Sequence, residues 1–189
     1  MNIFATHPDP SVSAKQHCDV HVIKMVTEAA QLLSSAHVIV DGNQVAYKSS
    51  HANHPCALWV RDSADNYRWT YEFYCCLLDE YELRTDKMHA ASRHMAALSK
   101  VPNIPSLGIT PFAQAMPEEF RDANPHFAYR KYLRAKLAEW GTRERKVRTT
   151  FTRRAVPLFL HNIAQPVDRP LPEPLSFNVI HEELDDGAV

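Results

Sequence analysis

Between residues 17 and 33, apolar side chains wrap nearly all the way round a helical projection, and the groups that can exchange a proton are confined to one line. At 100° per residue, His17, His21, Lys24, Glu28 and Gln31 fall within about 80° of arc. Cys18, Val22, Met25, Val26, Ala29 and Leu33 cover the neighbouring arc. The pattern predicts a helix starting near Ser11 or Ser13 and running to about Ser35, buried on most sides. Further helices are expected from about Ser63 to Leu83 and over "DKMHAASRHMAALSK" at 86–100, the second stopped by the prolines of "VPNIP". A fourth, "NPHFAYRKYLRAKLAEWG", has Asn124 as cap, Pro125 in the first turn and Gly141 as terminator. Strand-like runs are short: "NIFA", "HVIVDG" at 37–42 and "PLFLHNI" at 157–163. The expected fold is mainly α: a single compact helical domain over 1–165 with a few short strands, then a Pro-rich and acidic extended tail at 166–189.

Composition narrows this picture. Hydrophobic residues at 45% and charged residues at 23% suit a globular chain. The start "MNIFATHPDP" lacks the basic and apolar segments of a signal peptide, and no run approaches the ~18 apolar residues of a membrane span, so a cytoplasmic protein is expected. Four glycines leave no phosphate-cradling loop of the two common nucleotide-binding types. Cys18, Cys56, Cys75 and Cys76 show no C-x-x-C spacing, and no disulfide framework, cofactor or metal is expected. The net charge of -1 hides an asymmetry: eleven Lys or Arg against three acids from Arg121 to Arg154, a local +8, and six acids against one Arg from Asp168 to Val189, a local -5.

Three groups of residues carry candidate chemistry. His17, His21, Lys24 and Glu28 form the line on the first helix, with Gln31 beside them; they suit either the wall of a pocket, an internal ion network, or an ordinary solvated edge. His17 and His21 are also spaced to share a metal ion, although no glutamate follows His17 as the zinc-protease pattern requires. In "SSHANHPCALWVRDSADNYRWTYEF", Asn53, His54, Trp59, Arg61, Asn66, Tyr67 and Trp69 offer rings to stack on a base and donors to read its edge, or else fill a core. Arg130, Lys131, Arg134, Arg143, Arg145, Lys146 and Arg148 make a footprint for the phosphates of DNA, or a solvated basic face. The partner expected from this charge is a nucleic acid.

The stretches "HCDVHVIKMVTEAAQLLSSAH", "NHPCALWVRDSADNYRW" and "GITPFAQAMPEEFRDANPHFAYRKYL" resemble a family of small phage and bacterial proteins, some of them described as pyrimidine-dimer DNA glycosylase-like. The "AKQHCDVHV" helix with its downstream glutamate, and the "NHP" loop before a long helix, are similar to the dimer glycosylases themselves. The resemblance makes the expected partner DNA, double-stranded with modified bases, and implies an enzyme that flips a modified base out of DNA and cleaves its N-glycosidic bond, as in defence against phage with modified DNA. The dimer glycosylases attack with the amine of a small second residue exposed when the initiator Met is removed. This chain departs from that pattern, with the large Asn2 after Met1. The resemblance therefore implies either Lys24 as attacking amine or Glu28 as the carboxylate that stabilises the sugar cation and activates water, with His17 or His21 donating to the leaving base and the "VPNIPSLG" loop as an apolar wedge. Two competing expectations are a non-catalytic nucleic-acid-binding or inhibitory protein and a metal-dependent nuclease using His17 and His21.

Overall fold

A computed structural model describes residues 1–145, 147 and 149–161; the expected tail at 166–189 lies outside them. Among the described residues six α-helices follow one another: α1 (Pro10–Lys15), α2 (Asp19–Asp41), α3 (Pro55–Asp62), α4 (Ala64–Thr85), α5 (Met95–Leu98) and α6 (Pro125–Thr142). The chain is mainly helical, as the pattern predicts, and no strand occurs among the described residues. The two long helices α2 and α4 pack together as the centre of the fold, with α1 and α3 against them. They run antiparallel, since His17 before α2 meets Arg84 at the end of α4 while His37 meets Tyr67 at the opposite end.

The single first helix expected from the pattern is two. α1 starts on Asp9, whose carboxylate accepts from the Ser11 and Val12 amides, and ends at Gln16. A break over Gln16–Cys18 follows, and the carbonyls of Lys15 and His17 at the break accept hydrogen bonds from the Arg84 guanidinium at 3.3 and 2.7 Å. Backbone acceptors that α1 can no longer pair internally are thus met by a side chain from α4. α2 then continues well past Ser35. "HVIVD" forms its last turns, and Gly42 closes it with φ +67° in the left-handed region that an Asp-Gly pair also suits in a turn.

Elsewhere the local signals hold with adjustments. Ser63 caps α4 as expected, its hydroxyl accepting from the Asp65 amide. The 86–100 segment is a short 3₁₀ turn, Ala90–His94, followed by the single turn α5, since α4 runs on to Thr85 and Asp86 caps it with φ +55°. Asn124 caps α6, accepting from the amides of His126 and Phe127, but the helix passes through Gly141 to Thr142. "NIFA" is not a strand, and "PLFL" ends in a 3₁₀ turn, Leu158–Leu160. α3, set by His54 and Pro55, was not anticipated; the His54 imidazole accepts from the Cys56 amide at 3.2 Å.

The core is rich in rings. Tyr67, Phe73, Tyr74 and Tyr129 are fully buried, and Trp59, Trp69 and Phe112 stack and cross at ring-centroid separations of 4.6 to 5.9 Å. Each buried polar tip has a partner: Tyr67 donates to the Leu98 carbonyl, Trp59 to Thr110 and Trp69 to Pro8. Asn66 donates to the Trp59 carbonyl and the Thr110 hydroxyl.

Candidate active site

The first six residues thread through the molecule rather than hanging off it. Asn2 donates from its amide nitrogen to the Ala115 carbonyl at 2.7 Å, and its side-chain oxygen accepts from the amides of Ile3 and Phe4. These three bonds bend the chain so that Phe4 takes φ +41°, a left-handed conformation costly for a bulky residue. The bend aims the Phe4 ring at α6, where it lies nearly parallel to Tyr132 at 5.6 Å. Thr6 and Ala5 are held from the same side, their carbonyls accepting from Arg130 and His126.

What this threading builds is a polar cleft of about 230 Å³ lined by Met1, Asn2, Phe4, Lys24, Glu28, His54, Ala115, Tyr132 and Lys136. Glu28 stands at its centre. Its carboxylate, only 13% exposed, accepts from the Asn2 backbone N–H at 2.8 Å and lies 3.3 Å from the Lys24 ammonium and 3.9 Å from the terminal amine of Met1. One half-buried anion is therefore flanked by two amines, an arrangement that can support positive charge forming on a third atom between them. His54 opens one end of the cleft, and burial and the nearby terminal amine hold its imidazole below the usual range.

The line of polar groups divides in space. Lys24 and Glu28 face the cleft, whereas His17 and His21 are turned into the core, 0% and 1% exposed. The break at 16–18 takes His17 off the α2 projection; its Nδ1 bonds the Ser13 carbonyl, and its ring sits against Phe73. His21 packs between Phe4 and the edge of Trp140. Burial drives both imidazoles far down, His17 to about 4 and His21 to about 2, so both rings are neutral near neutral pH. Gln31 is half-buried on α2 and does not line the cleft. No three His, Cys, Asp or Glu side chains converge on a common point among the described residues.

Of the second group, His54 alone lines the cleft. Trp59, Asn66, Tyr67 and Trp69 are buried with their polar atoms satisfied inside the fold, and Arg61 donates to the Ala52 carbonyl behind the exposed Asn53. Three of the seven basic residues are engaged within the fold. Arg130 is half-buried against Phe159, Lys131 pairs with Asp122 at 3.0 Å, and Arg143 pairs with Glu139 at 2.8 Å. Arg134 and Arg145 are exposed, and Lys146 and Arg148 lie outside the described residues. Two further arginines, Arg153 and Arg154, are fastened to Asp86 and Glu80.

Sequence reasoning passed over Asn2 as a ligand of Glu28, and over Phe4, Tyr132 and Lys136 as cleft walls. A signal existed for the last two: Tyr132, Lys136 and Trp140 recur every fourth residue, so they share one face of α6. A second hollow of about 90 Å³ lies beside Asp19, Arg84 and Thr152. It is the seam of an ion network, with Arg84 donating to Glu80, Asp19 and two carbonyls, and Asp19 accepting from Thr150 and Thr152.

Residues 1–93 match the family model described as pyrimidine dimer DNA glycosylase. This is the family likeness that the "AKQHCDVHV" and "NHP" stretches suggest, and glycosylase chemistry with DNA as substrate is what that family implies. The matched half contains Met1, Asn2, Phe4, Lys24, Glu28 and His54; the wall supplied by Ala115, Tyr132 and Lys136 lies beyond it. No curated protein and no solved structure matches the chain. No helix among the described residues is long and apolar enough to cross a membrane.

Proposed function

We propose that the chain is a DNA glycosylase that takes a modified or damaged base out of duplex DNA and cleaves its N-glycosidic bond in the Glu28 cleft. The observation that carries this reading is the flanking of one half-buried carboxylate by two amines, inside the segment that matches the glycosylase family. Breaking the C1′–N bond sends its electron pair to the base and leaves positive charge on the sugar. A carboxylate fixed by the Asn2 N–H and needing no reorganisation opposes that charge. An amine beside Glu28, either Lys24 or the terminal one, once it has given up a proton, bonds C1′, and the C1′–O4′ bond then breaks, its electron pair and a proton going to O4′, to open the sugar ring and leave a protonated imine. At about 230 Å³ the cleft is smaller than the ~300–1,000 Å³ pockets of drug-sized ligands, which suits a single flipped nucleoside. Phe4 and Tyr132 offer ring faces to it, and exposed Arg134 and Arg145 hold the backbone. Defence against phage with modified DNA is the setting this activity fits.

The test uses three duplexes: one carrying a cyclobutane pyrimidine dimer, phage DNA with modified bases, and the unmodified sequence. Alkali-labile sites on one of the first two, lost in Glu28→Gln, support the reading. DNA bound tightly with no base released from any substrate would turn the protein into a binding or inhibitory one, and cleavage abolished by chelation would make it a metal-dependent nuclease. Borohydride trapping separates the amines: an adduct that persists in Lys24→Ala is formed by the terminal amine.

A further inference from the structure

Lys136 is a cleft residue to which the proposed chemistry so far gives no task. Its ammonium stands between two rings of its own helix, 5.8 Å from the centroid of Tyr132 and 5.6 Å from that of Trp140. Both rings are themselves fixed. Tyr132 stacks on the strained Phe4 and meets Phe120, and Trp140, 7% exposed, meets His21 edge-on. A lysine stem is flexible, and a cage of this kind confines its head to one spot on a cleft wall. Lys24 and Glu28 line the same cleft from α2.

Resting on the glycosylase reading, we infer that Lys136, held between Tyr132 and Trp140 on the α6 wall, is the acid that protonates the departing base. As the C1′–N1 bond breaks and its electron pair moves into a pyrimidine ring, negative charge collects on the ring carbonyl O2. The Nζ–H proton of Lys136 passes to that oxygen, the base leaves neutral, and C1′ is taken by the amine beside Glu28. Lys136 recovers its proton from water. An acid works best when its own proton is not held too firmly. Burial, and then the Lys24 ammonium across the cleft, lower the hold of Lys136 on its proton, with Arg143 acting in the same direction and Glu139 and Glu28 opposing. His21 beneath the cage is neutral, and His54, the Tyr132 phenol and the Met1 amine complete the titratable groups lining the cleft.

The experiment compares the full chain with Lys136→Arg and Lys136→Gln on whichever duplex the parent cleaves, measuring single-turnover base release from pH 6 to 10 and DNA affinity by fluorescence anisotropy. Arginine keeps the charge and the ring contacts but does not give up a proton, so both variants are expected to lose about 100-fold or more in base release. Affinity of the arginine variant stays within about threefold of the parent. The parent rate falls on the alkaline side, and that limb is missing from Lys136→Gln. Should Lys136→Gln fail to fold by circular dichroism, Lys136→Arg alone decides. Recovery of the parent rate by Lys136→Arg, or a loss confined to affinity, overturns the acid role while leaving the glycosylase reading intact. A parent that releases no base from any DNA overturns both.

Discussion

Mild acid should destabilise this protein before its carboxylates titrate. His17 and His21 are 0% and 1% exposed, with His17 Nε2 and His21 Nδ1 lacking a hydrogen-bond partner. Burial lowers their folded values to about 4 and about 2 from an ordinary 6.5. Both folded values lie below the unfolded one, so as the pH falls below 6.5 the unfolded chain takes up two protons that the folded chain refuses. Stability therefore decreases with falling pH in the window between 6.5 and the folded values. Going from pH 7.5 to 5.0 costs about 2 kcal/mol per histidine, about 4 kcal/mol for the pair, by proton linkage. That is a large part of the ~5–15 kcal/mol of a typical domain. Asp19 and Glu80 act elsewhere: hydrogen bonds and ion pairs hold them below their ordinary 3.8 and 4.5, so their contribution is complete above those values and is lost as the pH falls further. Urea denaturation of the parent and of His21→Leu at pH 7.5 and 5.0 isolates the effect. The parent should lose about 2 kcal/mol more than the variant across that interval, and about 4 kcal/mol more than the His17→Leu, His21→Leu double variant. The other histidines are common to all three proteins and drop out. Equal losses in parent and variants, or His17 and His21 resonances titrating near 6.5, would refute the reasoning.

Arg84→Ala should destabilise by about 3–5 kcal/mol, since its guanidinium is 2% exposed and its loss strips Glu80 of a partner and orphans the Lys15 and His17 carbonyls. Arg154→Ala, which removes the other partner of Glu80 from a 34% exposed position, should cost under about 1 kcal/mol in the same melts. Tyr67→Phe should cost about 1–3 kcal/mol, because the hydroxyl donates to the Leu98 carbonyl at 2.7 Å and meets His37 Nε2 at 2.9 Å in the core. Asp65→Ala should speed amide hydrogen exchange at Gly108, whose N–H it accepts at 2.9 Å, without changing exchange in α2.

What could be read from the sequence was what short-range chemistry decides. Asn124 with Pro125, and Ser63 before α4, announce their helices because a cap bonds amides two or three residues away. The 16–18 break could not be read, since Arg84, 67 residues from His17, is what satisfies its carbonyls. "HVIVD" looked extended because β-branched residues suit strands, yet packing of α2 on α4 outweighs so small a preference. In the site, Glu28 and Lys24 stood out as charges on a nearly apolar rod. The aromatic cluster fits either a base-stacking platform or a core when read locally, and what separates the two, the hydrogen-bond partners of Trp59, Tyr67 and Trp69, lies 31 to 61 positions away. Phe4 carried no local mark at all, because its conformation is imposed by Asn2 and its contact by α6.

The threading of the first residues bears on how the protein is made. Asn2 is fixed by Ala115, Ala5 by His126 and Thr6 by Arg130, partners 113 to 124 positions later in the chain. Residues 2–6 therefore find their place only after the later part of the chain is available to hold them. A nascent or truncated chain lacking α6 has Glu28 but not the enclosure around it.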